Sequence, residues 1–456
     1  MATEGRARVI YQSEALYAST VDATGHHYFA CVKDVDDNDW GANKTGFTKL
    51  SAIPANSQVR TGVEQLRRVQ SANYSFSLNR QDVNQFGQLA RIDSVSIEPP
   101  TVSMDFSYYL TNGVNERILG MDVRGTQSAF TDEFMDGGPA DNAGADGKNF
   151  FILTTPQGQD AVGNTSAESR KTVIALGNGF VSNYSVEASV GGMPTASVTV
   201  DGMNLRSYTG SQNCPTPAVN TNYGTPISDI EFSLPPAISG VLNDSAADVD
   251  SETEGWSCLR PGDIVMSLGT DGRAGEFEKL PGAQPPNDYT EGSAHIQSFS
   301  IDVPVSRTVL NRLGTPYGYS RVVDFPVNIT VSVNAILADL KQGNIADLIW
   351  DTEEHDLRFQ LHEPDQYGTG RKAIEYIVKG ALLEGEAFSS SIGDNKTVDL
   401  TFSAQLGGPE DQARGLRVSG SRNALDITGT FALLLYNKLK KPAWLVWAGF
   451  LCVIKL

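Results

Sequence analysis

The chain has 456 residues, 40% apolar and 20% charged, with a formal net charge of -19. Its 35 Lys and Arg against 54 Asp and Glu exclude a general nucleic-acid-binding protein, because neutralising phosphates needs a basic surplus. At roughly 100–200 residues per domain the length fits two or three domains, and 44 Gly with 21 Pro, among many Ser, Thr, Asn and Val, point to β-rich protein with long loops.

Met1 to Thr20 carries Glu4, Arg6, Arg8 and Glu14 and no apolar run, so no secretory signal is expected. Four cysteines (Cys31, Cys214, Cys258, Cys452) form no CxxC pair. The expectation is reduced thiols, with neither a disulfide framework nor a zinc cage.

Along the chain the dominant period is two. Asn73–Asn79 alternates Tyr74, Phe76 and Leu78 with Ser75 and Ser77, and Thr101–Leu110 alternates Val102, Met104, Phe106, Tyr108 and Leu110 with Ser103, Asp105 and Ser107. Each predicts a strand with one buried and one wet face. Asn115–Leu119 and Ala129–Met135 are short helix candidates, and the Gly/Ala/Asp-rich run from Gly137 to Gly147 is a loop. Tyr184 to Val190 and Ala196 to Val200 alternate again, on either side of a Gly191-Gly192-Met193-Pro194 hairpin turn. Ser207–Thr225 and the acidic Ser245–Gly255 are expected as loops.

The order then recurs. Phe299, Ile301 and Val303 alternate with Ser298, Ser300 and Asp302, and Val327 to Val333 alternates with Asn328, Thr330 and Ser332. A helix over Asp339–Trp350 and a turn at Gly393–Lys396 follow, then Val398 to Leu406 alternating with Thr397, Asp399 and Thr401. Phe76, Gly87 and Pro100-Thr101-Val102 align with Phe299, Gly314 and Pro326-Val327-Asn328. Val190–Thr195 aligns with Ile392–Thr397. We read an internal duplication: a first unit over 1–205, a loop-rich linker over 206–257, a second unit over 258–410 and a C-terminal extension over 411–456. Each unit is expected to be a β-sandwich or open barrel with one short flanking helix, giving a mainly β chain with minor α.

Little in the sequence points to chemistry. Five scattered histidines, His26-His27 included, show no metal-ligand spacing, and Gly147-Lys148 is followed by Asn149, where a phosphate-binding loop needs Ser or Thr. The acidic runs Asp34–Asp39 and Asp248–Glu252 lack the turn glycine of a calcium loop and read as solvated loops. No nucleophile has a matching base nearby, so neither an enzyme, a cofactor nor a metal is expected.

The stretches Val69–Leu78, Gln85–Gln88, Asn115-Glu116, Val186–Asn204, His295–Leu313, Val322–Ala335 and Ile392–Gly408 together resemble the major tail (tail tube) proteins of long-tailed bacteriophages, over about residues 60–410. The resemblance implies a β-sandwich or barrel subunit that closes into rings, the rings stacking into a hollow virion tube that conducts phage DNA into the host. Six tube domains make the usual ring, so a chain carrying two implies a homotrimer in a pseudo-hexameric ring. It further implies synthesis in the bacterial cytoplasm, tape-measure and tail terminator or hub proteins as partners, and no membrane.

A conduit must not hold its cargo. Asp105, Glu187, Asp302 and Asp399, on polar strand faces, are therefore the candidates for lining the lumen. The segments Gly137–Asn149 and Asp244–Gly255 are candidate arms between rings. The apolar run Ala443–Ile454 departs from the family pattern and, at twelve residues, is shorter than the ~17–25 needed to cross a bilayer. Two alternatives remain: a distal tail or hub protein of the same fold, and a carbohydrate-binding β-sandwich adhesin, hinted at by Trp40 and Trp256 beside acidic runs.

Overall fold

Alternation of apolar residues with Ser, Thr, Asn and Asp yields antiparallel strands, and these dominate the computed structural model of the chain. It describes residues 14–22, 63–123, 125, 128–130, 147–155, 160–162, 171–209, 213–220, 225–226, 231–234, 237, 258–270, 295–336, 354–364, 372–389, 397–407 and 414–420. The fold is mainly β.

The first half contains β1 (Glu14–Asp22), β2 (Val63–Gln65), β3 (Val69–Ser77), β4 (Arg80–Val83), β5 (Asp93–Ser96), β6 (Thr101–Tyr109), α1 (Val114–Leu119), β7 (Lys148–Thr154), β8 (Thr172–Ser189), β9 (Thr195–Gly202) and β10 (Asn204–Thr209). Short strands β11 (Asn213–Pro215), β12 (Val219–Asn220), β13 (Thr225–Pro226) and β14 (Glu231–Ser233) follow. The second half contains β15 (Ile264–Thr270), β16 (His295–Pro304), β17 (Arg307–Leu310), β18 (Ser320–Val323), β19 (Asn328–Ile336), β20 (His355–His362), β21 (Lys372–Ser389), β22 (Thr397–Gln405) and β23 (Gly415–Gly420).

Strand pairing repeats between the halves. In the first, β8 pairs with β7 and β10 along its start and with β9 along its end, giving the runs β1-β7-β8-β10 and β3-β6-β9-β8. In the second, β21 does the same with β20, β23 and β22, giving β15-β20-β21-β23 and β16-β19-β22-β21. Both eighteen-residue strands step register between their last two paired segments, at Val181/Asn183 and at Leu383/Gly385, a constant shift of 202 residues. Likewise β3 and β16 carry register shifts around Gln70 and Gln297, and the hairpins β4–β5 and β17–β18 pair Arg80 with Ser96 and Arg307 with Val323, a shift of 227. Each hairpin turns through a glycine of positive φ, Gly87 at 86° and Gly314 at 91°, a region costly for any side chain. The halves join edge to edge, β8 pairing with β16 from Asn183↔Pro304 to Ser189↔Ser298.

These registers correct part of the sequence alignment. Val190–Thr195 does align with Ile392–Thr397, since Thr195 pairs with Glu187 as Thr397 pairs with Ser389. Phe76, however, is equivalent to Val303 and not to Phe299, and Pro99 rather than Pro100 corresponds to Pro326. The aromatic match was misleading because strand equivalence is set by the ladder.

One apolar cluster runs through both halves, from Leu16, Met104, Tyr108 and Phe150 to Phe299, Val331, Phe359 and Phe402. Helix α1 lies against it, bounded by Gly113 and Gly120, both left-handed, and it is buried at all positions but Arg117. Its Asn115 accepts from the Arg67 backbone N–H at 2.8 Å and donates to the Arg67 carbonyl at 2.9 Å, pinning the turn into β3. Of the other helix candidates, Ala129 and Phe130 sit in a turn. The rest of that run, and Asp339–Trp350, fall outside the described residues.

Two further expectations change. The run 207–225 is not simply loop: β11–β14 form two small ladders, and Cys214, Phe232 and Leu234 pack on Tyr17, Phe151 and Val173 in a second cluster on the back of β1-β7-β8. Tyr74, Phe76 and Leu78, expected to be buried, are 44%, 61% and 41% exposed. They belong to or adjoin β3, which has β6 as its single ladder partner among the described residues, so the apolar face has lost its cover.

Candidate assembly and conduit surface

The eight strands β3-β6-β9-β8-β16-β19-β22-β21 form one continuous antiparallel run with opposite faces of opposite character. On one face, Val102, Met104, Val186, Val198, Ile301, Val331 and Phe402 are buried. The opposite face carries the polar set.

Rows of directly paired residues cross that face from strand to strand. One row runs Ser71, Ser107, Ser197, Ser185, Asp302, Thr330, Ser403. Another runs Tyr109, Thr195, Glu187, Ser300, Ser332, Thr401. Serine hydroxyls tie adjacent strands, as Ser71 to Ser107 and Ser75 to Ser103, both at 2.7 Å.

All four carboxylates singled out from the sequence lie on this face: Asp105 on β6, Glu187 on β8, Asp302 on β16 and Asp399 on β22, each between buried neighbours on its own strand. They are spread over different rows and converge on no common point. Glu187 accepts from the Thr195 hydroxyl at 3.3 Å and Asp302 from Asn183 Nδ2 at 3.2 Å, while Asn334 donates to Asp399. Asp201, one step beyond the alternation read from sequence, shares the face, paired with Ser103. The paired segments of these eight strands present no Lys or Arg on this face, but at its margin Arg307 and Arg321 of hairpin β17–β18 lie over Phe180, the ladder partner of Asp201, and Arg321 feels the Asp201 charge. Among the described residues no group of His, Cys, Asp and Glu is arranged to hold a metal ion.

The joint between the halves is locked from behind by a polar cluster that alternation alone hides. Glu116 of α1 is fully buried. Its Oε1 lies 2.9 Å from Tyr108 OH, 3.2 Å from Tyr184 OH and 3.4 Å from Tyr376 OH, and the last two hydroxyls are 3.0 Å apart. Three hydroxyl protons satisfy this set if Tyr108 and Tyr184 donate to Glu116 and Tyr376 donates to Tyr184. Burial pushes the Glu116 carboxyl above the ordinary carboxylate range, although its own backbone N–H and the tyrosines pull the other way. Burial likewise drives all three phenols well upward, so they stay protonated. Because Tyr376 comes from the second half, the cluster stitches the two copies together.

The hairpin β17–β18 adds a second clamp. Arg307 and Arg321 lie over the Phe180 ring at 5.0 and 5.9 Å, Arg321 Nη2 donates to the Gly202 carbonyl at 2.9 Å, and the Val305 N–H donates to Ser182 O at 2.9 Å. Phe180 is thereby 5% exposed, whereas Leu382, its equivalent at the end of the second half, is 42% exposed.

No protein-family model and no curated protein matches the chain. Among solved structures it is similar in part to the SPP1 tail tube determined by solid-state NMR and cryo-EM, with 11% identity, a TM-score of 0.24 and coverage of 38% of this chain and 85% of that one. It is also similar to a chain of the anti-feeding prophage baseplate (9%, TM-score 0.23, 35% and 93%) and to one of the native gene transfer agent virion (12%, TM-score 0.20, 36% and 100%).

Proposed function

We propose that this chain is a structural virion protein of a long-tailed bacteriophage that closes, three copies at a time, into pseudo-hexameric rings stacked as a tail tube. The observation carrying this reading is the repeated sheet: two equivalent four-strand blocks are joined edge to edge by β8 and β16, and the same edges at the two ends have no ladder partner among the described residues. An open apolar edge is a liability that proteins cover, and a further copy of the same block is a cover of matching shape. The division into units over 1–205 and 258–410 belongs to this proposal, with β10 and β23 as equivalent flanking strands.

The dimensions agree. Three chains supply about 24 strands, which at about 4.8 Å spacing close a wall about 115 Å around and about 37 Å across between backbones. That admits a DNA duplex after side chains are subtracted. We assign the Ser/Thr/Asp face to the lumen, with Asp105, Glu187, Asp302 and Asp399 lining it, because its paired strand segments carry carboxylates and no Lys or Arg, Arg307 and Arg321 being held at its margin over Phe180, so phosphates find few cations to exchange for. Electron microscopy of the purified chain tests this: stacked annuli with an open centre are expected, while single rings that do not stack point to a hub, and discrete particles without a channel refute the reading.

A further inference from the structure

Resting on that ring reading, we infer that the contact between neighbouring copies repeats the contact inside one chain, residue for residue, with the end of β21 pairing to β3 of the next copy. Inside the chain, β8 has β9 on one side and β16 on the other, and β16 has β19 and β8. Their equivalents β21 and β3 keep the inner neighbours, β22 and β6, and have no outer ones among the described residues. Carrying the shifts of 202 and 227 residues onto Asn183↔Pro304, Ser185↔Asp302 and Glu187↔Ser300 places Gly385 opposite Ser77, Ala387 opposite Ser75 and Ser389 opposite Asn73 of the neighbour.

The hairpins extend the same logic. Arg80 of β4 is the equivalent of Arg307, so hairpin β4–β5 of one copy covers Leu382 of the next, as β17–β18 covers Phe180. The Leu78 N–H then reaches the Glu384 carbonyl, as Val305 reaches Ser182. Tyr74, Phe76, Leu78 and Leu382, exposed in the single chain, all fall within this one junction. A second copy of the chain is the partner they fit.

The hydrogen bonds Val190 N–H to Gln297 O and Val305 N–H to Ser182 O make Ser185↔Asp302 a non-hydrogen-bonded pair, the type with the closest side chains. Its equivalent, Ala387 with Ser75, therefore suits a disulfide. The test combines Ser75→Cys with Ala387→Cys, both exposed positions, followed by mild oxidation and a non-reducing gel. A ladder ending in a covalent trimer is expected, at least about tenfold stronger than in either single variant or in Ser71→Cys with Ala387→Cys, where the sites lie about 13 Å apart along the strand. As a second arm, Leu382→Lys sets a cation against Arg80 and should abolish rings while leaving the circular dichroism of the chain unchanged. Rings that form without specific cross-linking, and that tolerate Leu382→Lys, overturn this junction but leave the ring reading standing. Absence of rings in the unaltered protein overturns both, and if the cysteines themselves block assembly, the lysine variant decides.

Discussion

Strands β3 and β16 are the same element met twice, once at a free end and once at an internal joint. In β16 the apolar residues Ile301 and Val303 are completely buried; at the equivalent positions of β3, Tyr74 is 44% and Phe76 61% exposed. Inner neighbours, hairpin and bulge are shared, and the contrast lies in whether another block abuts the outer edge. On the proposed ring reading, the apolar character of β3 serves the contact between copies. Among the described residues no neighbour covers Tyr74 and Phe76, and burial of such side chains is worth about 1.5–3 kcal/mol each only once water is excluded.

The largest effect that would sharpen this comparison lies behind the internal joint. Glu116→Ala removes the acceptor of the buried Tyr108 and Tyr184 hydroxyls, leaving only the Tyr184–Tyr376 bond, and unfolding in urea should show a loss of about 3–5 kcal/mol, because unpaired buried polar groups are costly. Next in size, Phe180→Ala removes a ring held under two arginines and should cost the unassembled chain about 3 kcal/mol. Leu382→Ala, at the equivalent but open site, should cost it less than about 0.5 kcal/mol. Equal losses at the two sites would break the contrast between joint and free end.

A pH series gives a smaller signal with a definite sign. The folded carboxyl of Glu116 holds its proton above the ordinary value, so its stabilising contribution is complete below the unfolded-state pKa and is lost as pH rises through the folded one. The stability of the native chain minus that of Glu116→Gln should therefore fall as pH rises from about 4.5. A difference independent of pH would mean that the carboxyl does not titrate on folding. Smallest for stability, within about 0.5 kcal/mol, are lysines at Asp105, Glu187 and Asp399, which stand on the open face. Their expected effect is on function, as slowed genome delivery by particles carrying them.

Much of the sheet was visible from alternation, because β6, the end of β8, β9, β19 and β22 each have one face in the core and one in solvent. The strand β7 gave no such signal: from Asn149 to Thr154 every residue is buried, so no period of two survives. The recurrence of strand order was legible from turns and alternation, but its register through Phe76 was not, since a four-residue slip preserves alternation and only the ladder distinguishes the two. Asp105, Glu187, Asp302 and Asp399 each stand between buried neighbours on their strands, which is what the alternation around them implies. Asp201 holds the next polar position after Val200, but Gly202 ends the apolar alternation there and leaves its face unmarked in the sequence. The Glu116 cluster was hidden for a different reason: Tyr108 and Tyr184 look like ordinary apolar strand positions, and Tyr376 lies 260 residues from Glu116. Hydroxyls meeting a buried carboxylate across a duplicated fold leave no local pattern.

The most direct measurement is a cryo-EM reconstruction of assembled particles, counting chains per ring and tracing the sheet across their boundaries. The account predicts three chains and an unbroken antiparallel wall in which every copy's first and last blocks meet as its own two halves do. Six chains per ring, or a wall interrupted at each boundary with Tyr74 and Phe76 left in solvent, would contradict it.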